Sequence, residues 1–435
     1  MIDAAEPQLP PRTFAELALH PELLAGTTRA GFSRCTPIQS ASLPFALAGR
    51  DVVGQAQTGT GKTAAFLLAA MQRLLAQEPD AGRKPTQPRA LVLAPTRELA
   101  IQIHRDGMQL GASTGLRLGV VYGGTGYHAQ RAALREGVDL LVGTPGRLID
   151  YLKQGAFDPR AVEVVVLDEA DRMFDLGFIS DVRFLMRRLP PPRQRLCLLF
   201  SATLSHRVIE LAYEHMNDPQ IVRTQAEQVT AAGARERLYH VASEEKMAVL
   251  RAVLQAHGDE RTIIFVNTRR ASEKIEQRLR AQHVAVCRLS GDVPQNKRLA
   301  LLKDFTEGHA RVLVATDVAA RGLHIPDVGL VINYDLPQDA EDYVHRIGRT
   351  ARAGAEGDAV SLCCEHYCYA LPDIEAYIGH KIPVAALPDP VHQLVPGDGA
   401  QVACSPASDD TPRFTSRHRK RRAPPRFAST QGESS

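Results

Sequence analysis

Two α/β domains, each a parallel sheet covered by helices, with a disordered basic tail behind them, are what the pattern of this chain predicts. Three observations predict it. Short apolar, β-branched runs recur along the 435 residues, each followed by a segment of helical spacing, and that alternation encodes a strand, a crossover helix and the next parallel strand. The alternation lapses over a polar stretch at 219–233 and then resumes, so it forms two series. After residue 385 it stops altogether.

The first series begins at 51–54 and continues with the runs 90–94, 116–122, 140–142, 162–167 and 195–200. The second comprises 262–266, 284–289, 311–315, 328–333 and 359–363. The expected organisation is a first domain over 13–218, a linker over 219–233, a second domain over 234–385 and a tail over 386–435. Pro, Gly, Ser, Asp and Arg dominate that tail without apolar periodicity, a composition that cannot bury a core. Seven Lys and Arg and no acid fall between residues 411 and 427, whereas the whole chain carries only +3, so the rest is net acidic.

Composition also excludes classes. Seven cysteines scattered from Cys35 to Cys404 do not form the evenly paired framework of a small secreted scaffold, which points to a reducing compartment. The first residues lack a basic segment leading into an apolar run, and no apolar run approaches the ~18 residues of a membrane span. A cytoplasmic location and no membrane partner are the expectation. The crowded cysteines and histidine of CCEHYC at 363–368 lack the two separated ligand pairs that structural zinc sites use.

Chemistry enters at the loop AQTGTGKT, which runs from the end of the first expected strand into an apolar helix and comprises Ala56, Gln57, Thr58, Gly59, Thr60, Gly61, Lys62 and Thr63. This order of strand, glycine loop and helix is what a phosphate cradle requires. Gly59 and Gly61 allow backbone amides to approach a β-phosphate, the helix N-terminus adds partial positive charge, Lys62 neutralises phosphate, and the Thr63 hydroxyl suits Mg2+. Ala56 stands where the general motif has its first glycine. The second element is DEAD at Asp168, Glu169, Ala170 and Asp171, directly after the apolar run 162–167. Ligands of open α/β sheets bind at the carboxyl ends of strands, so these acids should share the crevice of the cradle. Asp168 is the candidate to hold Mg2+, and Glu169 to orient and deprotonate an attacking water.

With these motifs in place the chain resembles the DEAD-box family of superfamily 2 helicases, from about residue 13 to residue 383. The resemblance implies two RecA-like domains, ATP and Mg2+ as cofactors, RNA as partner, and RNA-stimulated ATP hydrolysis coupled to local duplex unwinding. GFSRCTPIQ at 31–39 matches the family's Q motif, which implies that Gln39 reads adenine and that Phe14, upstream, stacks on the base. PTRELA, the glycine pair and TPGRLID match its RNA-facing motifs, implying strand contacts by Arg97, Gly123, Gly124, Thr144 and Arg147, with Thr316 a further contact in the second domain. Ser201 and Thr203 of SAT match the motif that couples hydrolysis to strand separation, through hydrogen bonds toward Asp168 and Asp171. HRIGRTAR at 345–352 matches the arginine-finger motif, implying that Arg349 and Arg352 complete the catalytic set of Lys62 and Glu169.

Two positions depart from the family. Ala351 replaces a common glycine, and His324 stands where an Asp usually contacts the ribose of ATP. Within the family the chain is most similar to the bacterial RhlB-type subgroup, judged from LDEADRMFDLGFISDVRFLMRRLP, ATDVAARGLHIP and IEAYIGHKIPV. That resemblance implies work beside the endonuclease RNase E, in the degradosome. Two other classes are the rivals: a non-catalytic RNA clamp, against which the intact Lys62, Glu169, Arg349 and Arg352 argue, and a DNA translocase, which the Q motif and the DEAD run disfavour.

Overall fold

A computed structural model describes residues 12–57, 59–124, 126–224, 234–320, 328–350 and 357–388. Thr58, His324, Ala351, Arg352 and the basic run of the tail lie outside the described residues.

Both sheets are parallel throughout, as the alternation of strand and helix requires. The first contains β1 (Val52–Gln55), β2 (Ala90–Leu93), β3 (Leu118–Val121), β4 (Leu140–Gly143), β5 (Val164–Leu167), β6 (Leu196–Ser201) and β7 (Gln220–Arg223), in the spatial order β3-β4-β2-β5-β6-β1-β7. The second contains β8 (Ala234–His240), β9 (Thr262–Val266), β10 (Val286–Leu289), β11 (Val312–Thr316), β12 (Leu330–Asn333) and β13 (Gly357–Cys363), in the order β10-β11-β9-β12-β13-β8. The central strands are buried on both faces, which is why they read as unbroken apolar runs. On β5, Val164 and Val166 pack with Phe66 and Leu67 of the helix Lys62–Ala76, while Val165 and Leu167 face a separate cluster with Met173 and Val182. The second sheet repeats the arrangement, with Ile264 and Val266 on one face and Ile263 and Phe265 on the other.

Two features lie outside the sequence expectation. Gln220–Arg223, placed in the linker from its polar composition, is strand β7 and pairs with β1 in the register Val52 to Gln220, so the first sheet extends past residue 218. β7 sits at the sheet edge, where one side faces solvent and polar residues are tolerated. At the far edge of the second sheet, β8 is covered by the chain following the last helix: Leu238 donates its N–H to the Pro383 carbonyl (2.8 Å), and Ala385 donates to the Leu238 carbonyl (2.9 Å). Because all strands run the same way, the loops that follow them emerge along one edge of each sheet, and the chemistry collects there.

Candidate functional site

The phosphate cradle is held in shape by its own hydrogen bonds. Gly59 and Gly61 have φ of 88° and 92°, left-handed values that suit a residue without Cβ, and Gly61 caps the N-terminus of the helix Lys62–Ala76. The buried Lys62 Nζ donates to the Ala56 carbonyl at 2.7 Å, which folds the lysine back over the loop. Thr60 donates to the Gln57 carbonyl (2.7 Å). Gln39, 3% exposed, braces the loop from the side: its Oε1 accepts from Thr36 N (2.9 Å) and its Nε2 donates to the Gly61 carbonyl (3.0 Å). A glutamine amide has two N–H groups and two acceptor lone pairs, so one of each remains for a base edge.

The acids follow β5 and face the same crevice. Burial pushes the Asp168 carboxyl up from 3.8 to about 7, with nearby Lys62 opposing the rise and Glu169 adding to it. Glu169 has φ 50° and ψ 55°, a left-handed backbone that costs a non-glycine residue about 1–3 kcal/mol and persists only where its surroundings impose it. Its Oε2 is buried and has no hydrogen-bond partner. A buried carboxyl near a lysine, beside a carboxylate oxygen that lacks a donor, is the kind of set that a divalent cation and its waters satisfy. Asp171 turns the other way. Its Oδ2 accepts from the backbone N–H groups of Ala202 and Thr203 (both 3.1 Å) and from the Thr203 hydroxyl (3.4 Å), while its own N–H donates to Ser201 Oγ (3.2 Å). Of the two acids expected to meet Ser201 and Thr203, Asp171 makes these bonds.

A cavity of about 320 Å³ opens over the cradle, bordered by Phe32, Arg34, Gln39, Lys62, Asp168 and Glu169 among others. The aromatic in that wall is Phe32, 40% exposed, and not Phe14, which is 2% exposed and anchored in the core of the first sheet. The two rings stack, with centroids 6.2 Å apart and planes at 27°, so Phe14 supports the ring that faces the cavity. Phe32 lies inside the quoted Q-motif run, and its position in that run was the available signal.

The expected strand-facing residues also lie on the carboxyl edge of the first sheet, away from the cradle. Arg97 follows β2, Gly123 and Gly124 follow β3, and Thr144 follows β4 as the cap of the helix Pro145–Lys153. The Arg97 guanidinium lies against Gly123 and Gly124, and Gly124 has a left-handed φ of 82° that suits a residue without Cβ. Arg147 is buried, its guanidinium 4.0 Å from the centroid of the Tyr127 ring.

In the second half, Thr316 ends β11. Arg346 and Arg349 belong to one turn of chain but differ in use. Arg346, 1% exposed, grips both carboxylate oxygens of Asp317 (2.6 and 2.7 Å), Asn267 Oδ1 (2.8 Å) and the Asp335 carbonyl (2.5 Å). Arg349 is buried at the C-terminal end of the helix Ala340–Ile347, and its Nε donates to the His345 carbonyl (3.1 Å). The opposite end of that helix reaches the first half: Asp342 pairs with Arg172, the residue after the acidic run, at 3.2 Å in a buried setting. Arg298 makes a second link, to Glu98 at 2.8 Å. Neither pair was anticipated, since the partners lie 170 and 200 residues apart in the chain.

Comparison with known proteins agrees with this geometry. Residues 36–211 match the DEAD/DEAH box helicase family and residues 245–354 the helicase conserved C-terminal domain. The chain is 60% identical over 373 residues to the ATP-dependent RNA helicase RhlB of Xanthomonas axonopodis pv. citri (strain 306), a match covering 86% of this chain and 65% of that protein. It therefore spans just under two thirds of the length of that relative. It is 56% identical to the protein of the same name from Escherichia coli O1:K1 / APEC, over 86% of this chain and 88% of that one. Among solved structures, S. cerevisiae Dbp5 bound to RNA and ADP BeF3 superposes with a TM-score of 0.78 at 31% identity, covering 87% of this chain and 96% of that one. Among the described residues, no helix is long and apolar enough to cross a membrane.

Proposed function

We propose, because this chain belongs to the DEAD/DEAH box helicase family, that it is an ATP-dependent RNA helicase, which hydrolyses ATP when RNA is bound and separates short duplexes locally. The observation that carries this reading is the juxtaposition of Lys62, Asp168 and the partnerless carboxylate oxygen of Glu169 at one strand edge. Such a set suits phosphoryl transfer to water, where catalysis is mostly positioning and electrostatic stabilisation.

In this reading Phe32 and Gln39 hold the adenine, and the amides of Gly59 and Gly61 hold the phosphates with Lys62. Mg2+, which neutralises phosphate charge when bound, would be held by Thr63 and Asp168. Glu169 accepts the proton of the attacking water, and its strained backbone aims the carboxylate. Arg349 and Arg352 supply positive charge to the transferring phosphoryl group. Arg97, Gly123, Gly124, Thr144, Arg147 and Thr316 serve the RNA strand. Asp171, gripping Ser201 and Thr203, transmits the state of the acidic loop to the end of β6. The RhlB-type resemblance supports a cytoplasmic role in RNA degradation, with RNase E as partner.

The test is ATP hydrolysis measured with RNA, with DNA and with neither. Stimulation by RNA alone supports the reading; equal stimulation by DNA favours a translocase, and no hydrolysis favours a clamp. Glu169→Gln should abolish turnover while ATP-dependent RNA binding persists, since only the proton acceptor is lost.

A further inference from the structure

The two halves share one strand order. β1 to β6 lie in the order β3-β4-β2-β5-β6-β1, and β8 to β13 in the order β10-β11-β9-β12-β13-β8, so β8 occupies the place of β1 and β12 that of β5. The correspondence extends to side chains. Lys62 is the first residue of the helix after β1, and Lys246 is the first residue of the helix Lys246–Ala256 after β8. Asp168 follows β5; Asp335 follows β12. The second half therefore contains a lysine at the position of Lys62 and an aspartate close to that of Asp168, one residue farther past its strand.

The second pair is closed on itself. No glycine lies between His240 and Lys246, so no amide loop separates lysine from acid. Lys246 Nζ instead reaches Asp335 Oδ1 at 2.6 Å, with side chains only 4% and 6% exposed. The rings of Tyr334 and Tyr367, 4.4 and 5.5 Å from Nζ, and Cys364 Sγ at 3.7 Å surround the ammonium. Asp335 is in turn tied to the arginine-bearing helix. Its Oδ2 accepts from Asn267 N (3.0 Å), Asn267 Oδ1 accepts from Arg346 (2.8 Å), and the Asp335 carbonyl accepts from Arg346 (2.5 Å). Two buried cations thus meet two acids in a fixed pairing: Lys246 with Asp335, and Arg346 with Asp317.

We propose that Lys246 is a positioning residue for ATP hydrolysis: by neutralising Asp335 it leaves Arg346 on Asp317, and so fixes the helix from which Arg349 is presented. This rests on the reading of Arg349 given above. Without Lys246, Asp335 becomes a buried anion in need of a cation, and Arg346 already lies at its carbonyl. The guanidinium would be drawn off Asp317 and the end of the helix displaced.

The experiment compares the full-length parent with Lys246→Met, the double variant Lys246→Met/Asp335→Asn, and Arg349→Ala, measuring RNA-stimulated ATPase per folded chain. Lys246→Met should lower kcat by roughly 10- to 100-fold, the cost of a displacement near 1 Å, with KM for ATP within about twofold because the Lys62 cradle is untouched. In the double variant the competing anion is gone while an amide oxygen still serves Asn267, so kcat should return to within about threefold of the parent. A merely packing role would lower the folded fraction and leave kcat per folded chain at the parental value, which overturns the proposal; so does a folded double variant no faster than the single one. Arg349→Ala separates the two claims. If it is slow while Lys246→Met is fast, only the positioning role fails; if it is itself parental, the arginine-finger reading fails and this proposal with it.

Discussion

Phe14 and Phe32 stack on one another but face different surroundings, one the core and one the cavity. Phe32→Ala should therefore raise KM for ATP by about tenfold, the loss of one aromatic contact, with little change in thermal stability. Phe14→Ala should instead remove about 3–5 kcal/mol of stability and, in the fraction still folded, leave KM near the parent. Steady-state kinetics and thermal melts of the two variants check the division. The family resemblance implied Phe14 as the ring on the base and did not single out Phe32, since which ring faces the cavity depends on its direction out of an irregular segment. Asp168 carries a pH dependence. Its carboxyl titrates near 7 instead of 3.8 because burial disfavours the charge. The folded chain then holds that proton more tightly than the unfolded chain does, so its contribution favours folding at low pH and is lost as pH rises through about 7. Metal binding has the opposite sign, because the ligand must be ionised. The Mg2+ concentration giving half-maximal ATPase should fall as pH is raised from about 6 to 8, by up to roughly tenfold per unit below the pKa; a requirement flat across that range would remove the Asp168 proton from the linkage.

At the level of elements, the cradle depends on one backbone angle and one neighbour. Gly61 has φ 92°, and a Cβ there would run into the Gln39 amide, which also bonds the Gly61 carbonyl. Gly61→Ala should cost about 1–2 kcal/mol for the left-handed backbone alone. It should also weaken ATP binding by displacing Gln39, so the same variant would shift the melting temperature and the dissociation constant of a fluorescent ATP analogue. Unchanged nucleotide affinity would show that the loop reforms without that brace. The central strands were legible in the sequence because burial on both faces leaves only apolar residues, and β9 spans the predicted 262–266. The two strands that escaped are edge strands. β7, QIVR, has one buried residue, and β8, ARERLYH, opens with alternating charge, so neither carries an apolar run. Edge position alone does not hide a strand, because β3 and β10 are edges too and carry readable apolar runs; β7 and β8 lack such a run and are specified by neighbours far away in the chain.

For the molecule as a whole, the motifs announced two halves but not the pairs that join them. Arg172 with Asp342 and Arg298 with Glu98 are ordinary charged residues on helices until the fold brings them together. The sequence offered directly the groups whose chemistry is local: the glycine loop, the acidic run after a strand, and the arginine-bearing segment 345–352. The covering of β8 by residues 383–385 has a consequence for any shortened chain. Without that segment the N–H and C=O of Leu238, midway along the edge strand β8, would be left open, and an uninterrupted open edge is a template for another copy of the same strand. A protein cut after Lys381 should therefore self-associate, giving light scattering that rises with concentration, whereas one cut after Ala407 should remain monodisperse. Equal scattering from both would show that Leu238 needs no cover, and that residues 383–385 guard nothing.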